Sequence, residues 1–141
     1  MRFEGKYFIR HAFSAIQIEA NLENATKDLG IAERIAIPEV RFNYAYGALI
    51  KSGIALLSLY SIRARSSAGH HVKIIEKLSE VLADQSIELV GNAMRAKRNA
   101  DFYGGGMIIT EKEAAEYLEF AGAIVEKVAG LIRRKTPFTT S

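Results

Sequence analysis

Apolar residues recur at helical spacing along almost the whole chain, and only two of its 141 residues are prolines, Pro38 and Pro137. Because residues three and four positions apart share one face of a helix, this pattern predicts amphipathic helices. The only segment that resembles a strand is the short apolar run 107–109. The sequence therefore predicts an all-α fold, an antiparallel up-and-down bundle of four or five helices joined by short loops.

The first two helices have recognisable ends. The first is predicted from about Lys6 to Leu29, with Gly30 as the residue that ends it. The second begins at Pro38, because proline lacks the N–H that a first helical position leaves unpaired anyway. Its apolar residues continue at helical spacing to about Arg65. A helix that is this long and this apolar is expected to be central to the fold.

Three further helices follow. The third is predicted from about His70 to Ala83, and Ser86 is expected to cap the fourth. The last begins with a capping box, in which Thr110 is the N-cap residue and Glu113 the third helical residue. Residues 1–141 form one domain in this prediction, with residues 135–141 as a polar tail.

Composition excludes several classes of protein. Hydrophobic residues make up 49% and charged residues 25%, which is typical of a globular domain. The chain has no cysteine, so it has no disulfide and no thiolate metal site. The N-terminus lacks a signal-peptide pattern, and the longest apolar run, residues 54–62, is too short to span a bilayer. We therefore expect a cytoplasmic protein that does not associate with membranes.

Common catalytic motifs are missing from the sequence. It has no phosphate-binding loop, no His-Glu-x-x-His zinc motif and no Gly-x-Ser-x-Gly elbow. His70 and His71 are adjacent, so on a helix their side chains point about 100° apart and make a poor metal pair. The sequence therefore predicts neither a metal site nor a cofactor.

Basic and polar residues are concentrated near the end of the fourth helix. Arg95 and Arg98 are one turn apart and share a face, and Asn99 lies on the neighbouring face. A bundle that brings this face to the break before the third helix would form an electropositive pocket suited to phosphate. The residues expected to contribute from that break are Arg65, His70 and His71. The alternative is a solvated basic face that compensates the dipole at the helix C-terminus.

The order of motifs resembles the HEPN superfamily of small helical-bundle proteins. The residues that carry the resemblance are Pro38 and Glu39, then Tyr44, Ala45 and Tyr46, then Gly69, His70 and His71, and finally the pattern formed by Arg95, Arg98, Asn99 and Tyr103. The last pattern is similar to the family signature, an arginine followed by a polar residue and, four to six residues on, a histidine. The resemblance covers residues 38–130.

This resemblance implies a homodimer in which the two signature helices meet across a cleft. Family members are often metal-independent endoribonucleases that act as toxins or antiviral effectors. Others are partners of small nucleotidyltransferases, or bind nucleotides without cleaving anything. Carried over, Arg98 contacts the phosphate, Asn99 orients the site, and Tyr103 stands at the position of the histidine. The apolar residues 107–109 are expected to cover the dimer cleft.

The tyrosine leaves the chemistry open between three alternatives. A phenol, with a pKa of about 10, is a poor general base at neutral pH. Either the environment of Tyr103 changes its pKa, or His70 or His71 serves as the base, or the chain binds RNA or a nucleotide without cleaving it. In the last case, the family analogy implies a nucleotidyltransferase antitoxin as the partner.

Overall fold

The computed structural model describes residues 2–103 and 108–136, and the side chains of residues 101–103 lie outside that description. In chain order its elements are β1 (Phe8–Arg10), α1 (Ala15–Arg34), α2 (Pro38–Leu59), β2 (Ile62–Ala64), α3 (His70–Val81), α4 (Gln85–Tyr103) and α5 (Glu111–Lys135). The predicted all-α helical bundle is confirmed. None of the helices within the described residues has the length and hydropathy that a membrane span requires.

Helix α2 is the centre of the bundle, as its apolar sequence predicts. It packs most extensively against α1 and α5, while α3 and α4 pack mainly against each other. The side chains of Phe42, Leu49 and Leu56 are at most 1% exposed, and Val128 and Ile132 of α5 are fully buried. The neighbouring helices leave one side of α2 exposed, and this side forms the candidate site.

A glycine lets α3 approach α2 closely. Gly53 of α2 is buried, and a Cβ atom added there would collide with Cγ2 of Ile74 and lie 3.2 Å from Cδ1 of Leu78. Both neighbours are fully buried residues of α3. The missing side chain therefore sets the distance between the helices, and with it the position of the two histidines at the start of α3.

The prediction for the first helix is wrong at both ends. Residues 8–10 form β1, which pairs antiparallel with β2 so that Phe8 lies opposite Ala64. The helix begins only after Ser14, whose hydroxyl accepts a hydrogen bond from the Gln17 N–H while the Gln17 side chain accepts one from the Ser14 N–H. This capping box fixes the start of α1. The helix also continues past Gly30 to its last residue, Arg34.

The second helix begins at Pro38, as predicted, but it ends at Leu59 and not near Arg65. Ser61 has a φ of 60°, a left-handed conformation that an α-helix does not contain. The chain then reverses into β2, whose residue Ile62 is 4% exposed. The pairing with β1, which precedes both α1 and α2 in the chain, overrides the helical spacing of these residues.

The starts of α4 and α5 differ little from the prediction or agree with it. Asp84, and not Ser86, caps α4, because its carboxylate accepts hydrogen bonds from the Ser86 N–H at 3.0 Å and from the Ser86 hydroxyl at 2.6 Å. The predicted capping box of Thr110 and Glu113 is confirmed. Ile108 and Ile109 are not in a strand, and Met107 lies outside the described residues, as do residues 137–141 of the predicted tail.

Candidate functional site

A pocket of about 570 Å³ opens beside the exposed side of α2. We call it the main pocket, and its lining includes Tyr44, Tyr46, Ile50 and Lys51 of α2, His71 of α3 and Arg98 of α4. Three helices that are far apart in sequence therefore contribute to one concave surface. A volume of this size is typical of sites that hold small ligands.

A second concavity of about 310 Å³ lies on the other side of the α3 N-terminus. We call it the side hollow, and it is lined by residues 67–72 together with Arg95 and Asn99 of α4. His71 lines both the main pocket and the side hollow. The two concavities are therefore separated by one imidazole, with an arginine of α4 in each.

The buried Tyr46 fixes this imidazole. Its hydroxyl oxygen lies 3.0 Å from Nδ1 of His71, and its side chain is only 2% exposed. Burial raises the pKa of Tyr46 to about 12, against the opposing effect of Arg98 and Arg95. Burial, followed by the charges of His70 and the same two arginines, lowers the pKa of His71 to about 4. Both groups are therefore neutral at pH 7.

The guanidinium of Arg98 lies over the ring of the same tyrosine. Its Cζ is 5.7 Å from the Tyr46 ring centroid, within the range of a cation–π contact. Among the described residues, no carboxylate lies within ion-pair distance of Arg98. The ring thus supports the guanidinium, whose planar fork of N–H donors suits an anion in the pocket.

The N-terminus of α3 adds backbone donors to the side hollow. Its N-cap residue is Gly69, with a φ of 81°, and it provides no side-chain hydrogen bond to the helix. The first N–H groups of a helix have no partner within the helix, and the helix dipole favours an anion near them. Nδ1 of His70 lies 2.9 Å from the Ser67 carbonyl oxygen, which can only accept. In neutral His70 the proton is therefore on Nδ1, and Nε2 is an acceptor.

Five of the seven site residues that the sequence predicts line these two concavities. They are His70, His71, Arg95, Arg98 and Asn99. Arg65 does not join them, because its Nε donates to the Gly5 carbonyl at 2.9 Å and its N–H donates to Tyr7. Tyr103 is the last residue of α4, but its side chain lies outside the described residues.

Another cation of the same cluster is also directed elsewhere. Lys97 Nζ donates to the Ile108 carbonyl at 3.2 Å and lies 4.0 Å from the Glu113 carboxylate. It therefore ties α4 to the start of α5 and does not line either concavity. The concentration of charge in the sequence predicts a basic helix end. The structure adds that Arg95 and Arg98 line the concavities, whereas Lys97 lies on a different face of α4.

The α2 wall of the main pocket was missed by the sequence prediction. Tyr46 is buried with the apolar residues of α2, and its hydroxyl contacts His71. Tyr44 is 36% exposed and lines the pocket. The available signal is a second stripe, Asn43, Gly47 and Lys51, which interrupts the apolar surface of α2 with polar or small residues at four-residue steps.

Within the described part of the chain, no group of three or more His, Asp or Glu side chains is arranged to hold a metal ion. The site consists of two arginines, two histidines, two amides, two phenols and a lysine around the two concavities. Comparison with protein-family models, curated proteins and solved structures finds no match to this chain.

Proposed function

We propose that the chain is a HEPN-type module that binds RNA through Arg98 and Arg95 and cleaves the strand without a metal ion. The observation that carries this proposal is the placement of Arg98 on the Tyr46 ring beside the neutral imidazole of His71. The resemblance of the sequence to the HEPN superfamily supplies the reaction, and the geometry supplies groups that suit it.

Phosphate binding follows from the charges. A guanidinium offers a planar fork of donors that matches two phosphate oxygens, and Arg98 has no carboxylate competitor among the described residues. Arg95, Asn99 and the α3 N-terminus provide further donors on the far side of His71. The proposal therefore places one phosphate site at each concavity.

Cleavage in this proposal is an attack of the RNA 2′-oxygen on the adjacent phosphorus. The bond from O2′ to phosphorus forms, the bond from phosphorus to O5′ breaks, and the products are a 2′,3′-cyclic phosphate and a 5′-hydroxyl. Nε2 of His71 takes the proton of the 2′-hydroxyl, which requires the tautomer in which Nδ1–H donates to the Tyr46 oxygen. Arg98 stabilises the charge that develops on the phosphate, and Tyr103 or water returns a proton to O5′.

A homodimer is part of the same proposal. The resemblance implies that the signature helices of two copies meet, and two large apolar side chains are exposed on or near α4. Leu89 is 76% exposed and Ile108 is 89% exposed. Covering both against a second copy removes apolar surface from water, which favours association. Light scattering tests this directly, and a monomer at micromolar concentration contradicts it.

One observation favours a second candidate function, binding of RNA or a nucleotide without cleavage. The pKa of about 4 makes His71 a weak base, and the residue at the position of the family histidine is a phenol. Such a module would serve as a regulatory partner, for example of a small nucleotidyltransferase that acts as its antitoxin. The two candidates share the phosphate site and differ only in the reaction.

The test is incubation of the purified protein with single-stranded RNAs in EDTA, followed by analysis of the product ends. We expect cleavage with 2′,3′-cyclic phosphate ends that Arg98→Ala abolishes. Lys112→Ala is the control, because it removes one positive charge from an exposed position of α5. Binding that depends on Arg98 without any cleavage supports the second candidate. Equal behaviour of Arg98→Ala and Lys112→Ala contradicts both.

A further inference from the structure

We infer that the α2 side of the main pocket is a subsite for an unpaired nucleobase, with the ring of Tyr44 as its stacking surface. The inference rests on the proposed function, because it extends the phosphate site at Arg98 to the rest of a nucleotide. It assigns a role to pocket residues that the resemblance to the HEPN superfamily leaves without one.

The residues of this subsite lie on one face of α2. Asn43, Gly47, Ile50 and Ile54 follow one another at three- and four-residue steps, so that they form a single stripe. Tyr44 lies about 100° from Asn43 around the helix, and Lys51 is close to Tyr44 in direction. Tyr44 and Lys51 therefore lie along the edge of the stripe that is farther from Tyr46. The stripe thus combines the apolar side chains of Ile50 and Ile54 with the amide of Asn43, and its edge is aromatic and basic.

Gly47 lets the carboxylate of Asp28 approach the pocket stripe of α2. It carries no side chain, and a Cβ atom added there would lie 2.7 Å from Oδ2 of Asp28. Tyr44 is 36% exposed, so a planar ligand can stack on its ring, while Ile54, almost three turns further along α2 and 38% exposed, extends the apolar lining of the pocket beyond it. Flat apolar surfaces beside an exposed aromatic ring are what unpaired bases stack on, and such stacking tolerates any base sequence.

The charges of the pocket give a nucleotide one orientation. Lys51 Nζ lies 2.8 Å from Oδ2 of Asp28, which is buried, so this end of the pocket carries a neutral ion pair. The other end carries Arg98, which has no carboxylate neighbour among the described residues. A phosphate therefore belongs beside Arg98, and a neutral base belongs on the side of the pocket that carries Tyr44 and Lys51.

The amide of Asn43 provides the polar contact for the base. It is exposed on the pocket stripe, and an amide offers both a donor and an acceptor to the edge of a base. No charged group of the stripe itself selects a particular base. The subsite is therefore expected to take any of the four bases when they are single-stranded, and to exclude them when they are paired.

The experiment compares three probes by NMR titration and calorimetry, namely ribose 5-phosphate, adenosine and adenosine 5′-monophosphate. We expect the base to increase affinity about tenfold over ribose 5-phosphate, the lower part of the range measured for stacking on an aromatic side chain. Tyr44→Ala removes this gain and leaves ribose 5-phosphate binding unchanged. Tyr44→Phe keeps the ring and keeps the gain.

The outcomes separate this inference from the proposed function. Binding of ribose 5-phosphate that depends on Arg98, with no gain from the base, overturns the subsite and leaves the phosphate site standing. Binding of adenosine that depends on Tyr44, without binding of ribose 5-phosphate, supports the subsite and overturns the proposed function. If no probe binds, both are overturned. If Tyr44→Ala changes the oligomeric state in light scattering, a second copy of the chain occupies this surface, and the subsite is overturned.

Discussion

The hydroxyl of Tyr46 lies 3.0 Å from Nδ1 of His71, which joins the most buried polar aromatic of α2 to the first turn of α3. This contact links the core of the bundle to its candidate site. Protonation of the His71 imidazole is therefore coupled both to the stability of the fold and to the properties of the site.

Stability is expected to fall as the pH decreases from about 6.5 to 4. The unfolded His71 takes up a proton with its ordinary pKa of 6.5, whereas the folded residue stays neutral until about pH 4. The unfolded state therefore binds more protons across this window, so the free energy of unfolding rises with pH there. We expect a loss on the order of 2 kcal/mol at pH 4, after allowing for screening by water.

Denaturant unfolding at pH 7, 5.5 and 4.5 measures this dependence. His71→Gln removes the titrating group and is expected to flatten the curve in this window. His11→Gln is the control, because His11 is exposed and lies outside the site, and it should retain the slope of the wild-type protein. An unchanged slope in His71→Gln would assign the pH dependence to other groups.

The hydroxyl of Tyr46 is expected to contribute to stability through the same contact. Tyr46→Phe keeps the buried ring and the surface on which Arg98 lies, but it leaves Nδ1 of His71 without this partner. We expect a loss of about 1–2 kcal/mol in the free energy of unfolding. The matched control is Tyr44→Phe, which removes a hydroxyl from an exposed tyrosine and should change stability by less than about 0.5 kcal/mol. Equal effects of the two variants would exclude the contact as a stabilising one.

Gly53→Ala is expected to destabilise the protein, because α2 and α3 approach each other closely at Gly53. In Gly53→Ala the new methyl group collides with Ile74 and presses on Leu78, so the helices must separate. Overpacking of this kind costs about 1–3 kcal/mol, and the shift of α3 should also weaken the contact of His71 with Tyr46. Unfolding measurements give the energy, and the His71 imidazole signals in NMR report the shift.

Gly122→Ala provides the matched control for this variant. Gly122 lies in α5, and the nearest side-chain atoms to an added Cβ are those of Leu29 at 3.8 and 3.9 Å, which is ordinary contact. Because alanine is a better helix former than glycine, this variant should be more stable by up to about 1 kcal/mol. A stabilising effect of Gly53→Ala as well would mean that the two helices are not in close contact.

Helical periodicity predicts the bundle well because long apolar stripes leave few alternatives. The start of α2 at Pro38 and the capping box at Thr110 are local signals, and both are confirmed. The start of α1 also has a local signal, Ser14 with Gln17, which the apolar spacing of the preceding residues conceals. The β1–β2 pair has no local signal of comparable strength, because three-residue strands are formed by a long-range pairing.

The site is predictable in its cations and less so in its walls. A one-turn step places Arg95 and Arg98 on related faces, and short breaks put the two histidines at the start of α3. The packing of α3 on α2 decides that Tyr46 contacts His71, and a chain reversal at Ser61 decides that Arg65 contacts Gly5. Both depend on contacts between residues that are 25 or more positions apart, which periodicity within one helix does not report.

The N-terminal segment is expected to be held on α3 by Lys77. This residue is 3% exposed, its Nζ donates to the Arg2 carbonyl, and it lies 5.4 Å from the Phe3 ring centroid and 5.9 Å from that of Phe8. Lys77→Met keeps most of the apolar stem but removes the ammonium group. We expect stability to fall by about 1–2 kcal/mol, because the lost hydrogen bond and ring contacts are partly offset by removal of a buried charge.

Hydrogen exchange measured by mass spectrometry locates this effect. Protection of the backbone amides of residues 2–8 should fall about tenfold in Lys77→Met, since a local opening that costs 1.4 kcal/mol less is ten times more populated. The control is Lys112→Met, at an exposed position of α5, which should leave this segment protected. If the free energy of unfolding falls in Lys77→Met but the protection of residues 2–8 is unchanged, the lysine stabilises the core as a whole and does not anchor this segment.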